Sequence, residues 1–151
     1  MPELKTMKKF RFNLERLLRI REHEEREWEL KLGKAVSECV RLENAIKGCR
    51  GEIERVLLTR GDIESREADF FSMELYKRRM NDEIGRRSAE LAEAEKHRDE
   101  IRESFIEYSK NRKVLSKLKE KREREYYKEQ QKIEFNVVDE INNSRAAGRM
   151  V

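Results

Sequence analysis

The residues of this chain that could do chemistry are few and poorly placed for it. His23 and His97 stand alone, and a catalytic base or a metal ligand needs partners at set spacings. Cys39 and Cys49 lie in one helical pattern, about 15 Å apart along the axis, too far for a disulfide. Neither a CxxC pair nor a Cys/His cluster points to zinc, so they read as two buried thiols in a reducing compartment. No GxxxxGK-Ser/Thr loop, GxSxG or HExxH is present. Carboxylates are plentiful, but nothing here would desolvate a pair and shift its pKa. The reading is a protein that is not an enzyme and needs no cofactor or metal.

Binding is the chemistry left, and composition says what frame must carry it. Charged residues make up 45% of the 151 positions and the hydrophobic set 36%, with one proline and six glycines. That is too little apolar material for a globular core but enough for one narrow stripe per helix. No apolar run is long enough to cross a bilayer or serve as a signal peptide, so a cytoplasmic protein with no membrane span is expected.

The stripe is periodic. Leu32, Cys39, Ile46 and Ile53 form one heptad series, and Ala35, Leu42, Cys49, Val56 and Ile63 the other. Upstream, Leu14, Leu17, Arg21, Glu24 and Trp28 continue it, with a stutter between Trp28 and Leu32. A second seam runs through Met73, Met80, Ala94, Ile101, Tyr108 and Leu115, broken by Arg87. Its companion, Ile84, Leu91 and Phe105, is broken by Arg98 and Arg112, whose stems can lie along the seam with their heads in water. Beyond Leu118 the stripe loosens through Tyr126, Ile133, Val137 and Ile141.

Gly61, with Asp62 or Ser65 as the next cap, marks a turn at about 61–66. Asn13 suits an N-cap, with Phe12 and Leu17 as a hydrophobic staple, and Ala146–Ala147–Gly148 a stop. The expected fold is all-α: an antiparallel two-helix coiled-coil hairpin with an overhanging C-terminal helix. Helix 1 covers about 13–60 and helix 2 about 67–146, in one coiled-coil domain over 1–151. A turn there sets Leu14 opposite Leu115, Trp28 opposite Ile101 and Ile53 opposite Tyr76.

Charge is not spread evenly. Residues 1–21 hold seven basic and two acidic side chains, and residues 112–133 nine and four, while residues 22–111 are acidic overall. The hairpin brings both basic segments to one end, a surface for an acidic partner. At the turn, Phe70, Phe71, Met73, Leu75 and Tyr76 crowd more apolar surface than a seam can bury. They form either a plug closing the hairpin or an exposed docking patch.

The opening KFRFNLERLLRIREHEE and the later VLSKLKEKREREYYKEQQKIEFNVVDEINNSR together resemble the flagellar export protein FliJ family. An F-x-F-x-L-x-x-L-L start, an L-x-x-K-R-E-x-x-Y segment and a single central turn carry the likeness over essentially the whole length. The resemblance implies a stalk-like hairpin that binds the hexameric export ATPase and the membrane export gate. It also implies help in recycling export chaperones and peripheral attachment to the inner membrane through the apparatus. On that analogy Phe12, Arg16, Arg19, Lys119, Arg122, Arg124 and Tyr126 are the ATPase candidates, and Phe70, Phe71, Leu75 and Tyr76 the gate candidates. A basic coiled coil on nucleic acid and a self-associating filament protein are the alternatives. The acidic middle argues against the first, so no nucleic acid is expected. The central turn argues against the second.

Overall fold

The computed structural model describes residues 8–59 and 67–149. They form two helices, α1 (Glu15–Thr59) and α2 (Glu67–Arg149), and no strand occurs among the described residues. The fold is an all-α antiparallel hairpin whose second helix runs on beyond the first. The expected turn with Gly61, Asp62 and Ser65, and the seam position Ile63, lie outside the described residues.

The heptads explain the helices. In α1, buried and half-buried side chains recur at Leu14, Arg21, Trp28, Ala35, Leu42, Cys49 and Val56. Between them fall Leu18, Glu25, Leu32, Cys39, Ile46 and Ile53. Steps of four and three alternate without a lapse, so the stutter expected at Trp28 is absent. The reason is at the helix start. Leu14 O accepts the first helical bond, from Leu18 N at 2.9 Å, so the fourth residue inside the helix is Leu18 and not Leu17. Leu18 is 3% exposed and Leu17 37%. Asn13 does not cap its own helix; its Oδ1 faces α2, as described below.

In α2 the series Met73, Met80, Arg87, Ala94, Ile101, Tyr108, Leu115, Arg122 is half-buried throughout. So is its companion, Lys77, Ile84, Leu91, Arg98, Phe105, Arg112, Lys119, Tyr126. Three of the seam arginines have partners on their own helix. Arg87 Nε donates to Glu83 at 2.9 Å, Arg98 to Asp99 at 3.2 and 3.1 Å, and Arg112 to Ser116 Oγ at 3.4 Å. After Leu118 the seam turns polar but continues through Lys119, Arg122 and Tyr126, and it ends before Gln131, from which every residue to Arg149 is exposed. Gly148 is no stop, since α2 runs to Arg149 and no described residue has a positive φ.

Two compact units share these helices. The terminal unit consists of Met1–Glu24 with Tyr108–Val151, the central unit of Glu25–Glu107. In the central unit Ala35, Cys39, Leu42 and Ile46 are buried, and Tyr76 Oη donates to Glu52 Oε2 at 3.2 Å. That link falls one residue from the expected Ile53–Tyr76 pairing. In the terminal unit Phe12, Leu18 and Ser109 are buried. There Lys119 pairs with Glu15, so Leu14 sits more than a helical turn further along α2 than the expected Leu115.

Candidate partner-binding surfaces

The residues singled out for the basic surface all lie in the terminal unit, and the structure divides them. Arg122 closes over Phe12, its guanidinium carbon 5.8 Å from the ring centroid, and its Nη1 donates to Asn13 Oδ1 at 2.7 Å. A flat cation over an aromatic face gains electrostatically from the ring quadrupole. Lys119 Nζ lies 2.8 Å from Glu15 Oε2, with both side chains about one-third exposed. The Glu15 hydrogen bond, reinforced by the negative charge of Glu15, Glu123 and Glu22, holds the Lys119 ammonium above the ordinary lysine value against a smaller burial effect. Tyr126 donates its hydroxyl to Lys8 O, and its ring meets Phe10 at 5.6 Å and Tyr127 edge-on at 5.5 Å. Phe12, Lys119, Arg122 and Tyr126 are therefore a clasp within the fold.

Arg16, Arg19 and Arg124 are different. All three are exposed, and no hydrogen bond or ion pair ties them to another described residue. Arg16 and Arg19 are three apart and share one face of α1. These are the members of the set whose charge is available to a partner. Extending the heptad from Leu115 by four, seven and eleven residues lands on Lys119, Arg122 and Tyr126. The signal separating clasp from free cation was thus present in the sequence.

The apolar cluster of the central unit also divides. Met73, on the seam, and Tyr76, beside it, are half-buried, and burial, followed by the Glu52 carboxylate, raises the Tyr76 phenol above its usual value. Phe70, Phe71 and Leu75 are 44%, 65% and 40% exposed. On α1, Leu57 and Leu58 are exposed as well, at 44% and 74%. Sequence reading missed that pair, although both fall between seam positions Ile53 and Val56 and the expected turn. Phe71 and Leu75, one turn apart, remain outside as a docking patch requires.

Among the described residues no group of three or more His, Cys, Asp and Glu side chains is placed to hold a metal. None of the described helices is long and apolar enough to cross a membrane. Cys39 is buried and Cys49 half-buried, both as free thiols. The model of one protein family, described as Flagellar FliJ protein, matches residues 10–150. No curated protein and no solved structure matches the chain.

Proposed function

The chain belongs to the FliJ family of flagellar proteins, with a role related to flagellar export, and on that premise we propose that it is a stalk-like adaptor between the export ATPase ring and the export gate. The family match over 10–150 is the observation that carries this reading. Arg16, Arg19 and Arg124 meet acidic side chains of the ring, because they are the candidate cations not already paired within the fold. Exposed arginines of this kind steer an acidic partner and set its orientation more than they add affinity. Phe71 and Leu75 form the apolar contact with the gate, flanked by Phe70; Tyr76 holds the hairpin together through Glu52. Handling of export chaperones and peripheral attachment to the inner membrane follow from the same apparatus. The protein carries out no catalysis of its own and needs no nucleic acid.

The test is ATP hydrolysis by the purified flagellar export ATPase with and without the chain. Stimulation is expected. Combining Arg16→Glu, Arg19→Glu and Arg124→Glu should bring it to within about a fifth of the unstimulated rate, with unchanged helicity. In parallel, Phe71→Ala with Leu75→Ala should weaken co-elution with the gate's cytoplasmic part about tenfold. If the unaltered chain neither stimulates the ATPase nor co-elutes with either partner, the adaptor reading is overturned. Loss of helicity in the Phe71/Leu75 variant would make that cluster a plug of the hairpin.

A further inference from the structure

Residues 8–12 precede α1 and are not helical, and burial alternates along them: Lys9 is exposed, Phe10 half-buried, Arg11 exposed and Phe12 buried. A period of two belongs to an extended segment with one side turned inward. Little of its own backbone holds it there. Among the described residues its one backbone–backbone hydrogen bond runs from Glu15 N to Phe12 O, at 3.1 Å. Side chains of α2 hold it instead. Tyr126 donates to Lys8 O and sets its ring against Phe10, while Arg122 covers Phe12 and donates to Asn13. A short strap is thus clamped along α2 at both of its ends. The clamp fixes what the strap shows to solvent, Lys9 and Arg11, and no hydrogen bond or ion pair ties either side chain to another described residue.

Charge sets the strap apart from the helix beneath it. Along α2 from Lys119 to Glu129 five basic and four acidic side chains intermix, so that stretch has little net sign. Residues 8–14 hold Lys8, Lys9 and Arg11 and no acid, and the next residue, Glu15, is paired with Lys119. Positions two apart in an extended segment are roughly 7 Å apart. Carboxylates one turn apart on a helix stand at about 5–6 Å, close enough for both cations to be met at once. Both rings of the strap face α2, which leaves none outside it to stack on a base or enter a lipid surface. We propose that the strap presents Lys9 and Arg11 as a fixed pair of cations to two carboxylates one helical turn apart on an acidic protein partner, which on the adaptor reading is the export ATPase ring. Phe10, Phe12, Arg122 and Tyr126 are the positioning residues. The inference rests on the adaptor reading for the identity of that partner and adds Lys9 and Arg11 to the surface that meets it.

The experiment measures binding of the full chain to the purified export ATPase hexamer and, separately, to poly-L-glutamate. Combining Lys9→Glu and Arg11→Glu should weaken both about tenfold at low salt, where exposed charges are least screened. Combining Phe10→Ala and Tyr126→Phe loosens the strap and changes no charge; it should weaken hexamer binding about fivefold, with unchanged helicity. All four changes together should cost little more than the charge reversals alone, because the clamp acts through the two cations. Additive losses, full binding without the two cations, or tighter binding by the loosened chain overturns the inference. So does displacement of the hexamer by micromolar duplex DNA through Lys9 and Arg11, which would make the strap a phosphate site. Hexamer binding that ignores Lys9 and Arg11 sinks this inference and leaves the adaptor standing. Polyglutamate binding that needs them, with no binding to the hexamer, keeps the cation pair and sinks the adaptor.

Discussion

The central unit is held mainly by packing, with one directed link from Tyr76 to Glu52, whereas the terminal unit adds several directed polar contacts to its packing. In the central unit the buried side chains are Ala35, Cys39, Leu42 and Ile46, and its ion pairs join near neighbours on one helix: Glu38 with Arg41, Glu52 with Arg55, Glu83 with Arg87. Of these, the exposed pairs Glu38–Arg41 and Glu52–Arg55 contribute little to stability, and the half-buried Glu83–Arg87 pair links neighbours on one helix and does not tie α1 to α2. The terminal unit buries Phe12 and Leu18 and adds three links from α2 to residues 8–15, through Lys119, Arg122 and Tyr126. The difference concerns register. An apolar stripe repeating every seven residues packs nearly as well after slipping one heptad, whereas a hydrogen bond between named atoms does not. Directed contacts stand where the seam turns polar and packing discriminates least.

The sharpest way to break this contrast is to remove the packing. Leu42, 2% exposed, is among the most deeply buried side chains of the chain. Leu42→Ala should cost roughly 3 kcal/mol, the range for a buried leucine that leaves a cavity. The readout is the urea midpoint followed by circular dichroism. A cost below about 1 kcal/mol would mean that the apolar seam does not hold the central unit.

A smaller effect of opposite sign tests the same region. Gly48 and Gly51 stand inside α1, and a methyl group added at either meets nothing within 4 Å. Replacing each by alanine should stabilise the fold by about 1 kcal/mol, the difference in helix propensity. Hydrogen exchange should show the gain as slower opening of α1 in the central unit. If either change destabilises instead, a partner or a bend needs the glycine, and the packing account of this helix is incomplete.

Much of this arrangement can be read from residue order. The heptads through Ala35–Val56 and Met73–Leu115 suffice for two helices, because an apolar period near 3.5 leaves no other element. The antiparallel pairing follows from a turn between two unequal arms. Legibility fails where seam positions are polar. Taking Leu17 for Leu18 moved the helix start by one residue and created a stutter that the chain does not have. Reading Lys119, Arg122 and Tyr126 as a loosened stripe with available charges hid their heptad positions. Counting charge treats Arg122 and Arg124 alike, although one closes on Phe12 and Asn13 while the other faces solvent. What separates them is the opposite helix, and residue type alone carries no information about it.

The smallest effect bears on the polar clasp itself. The Lys119 pKa is raised in the fold, mainly by its hydrogen bond to Glu15. A group whose folded pKa is raised contributes stability that is complete below its unfolded value and is lost as pH rises through the folded one. The contribution should therefore be constant through neutral pH and disappear only above the ordinary lysine value of about 10.5. Glu15→Gln should lower the urea midpoint slightly at pH 7 to 9, and the gap to the unaltered protein should narrow as pH rises beyond the ordinary lysine value and the Lys119 ammonium is lost. The Tyr76 phenol, raised by burial and by Glu52, also weakens the fold in alkali, but equally in both proteins, so it cancels in the difference. Glu15 has a second means of stabilising the chain, because it occupies the first turn of α1, where a negative charge favours the helix N-terminus. That effect does not depend on the Lys119 proton. A gap that stays constant as pH rises through the loss of the Lys119 ammonium would assign Glu15 to its own helix and leave Arg122 and Tyr126 as the links from α2 among the described residues of the clasp.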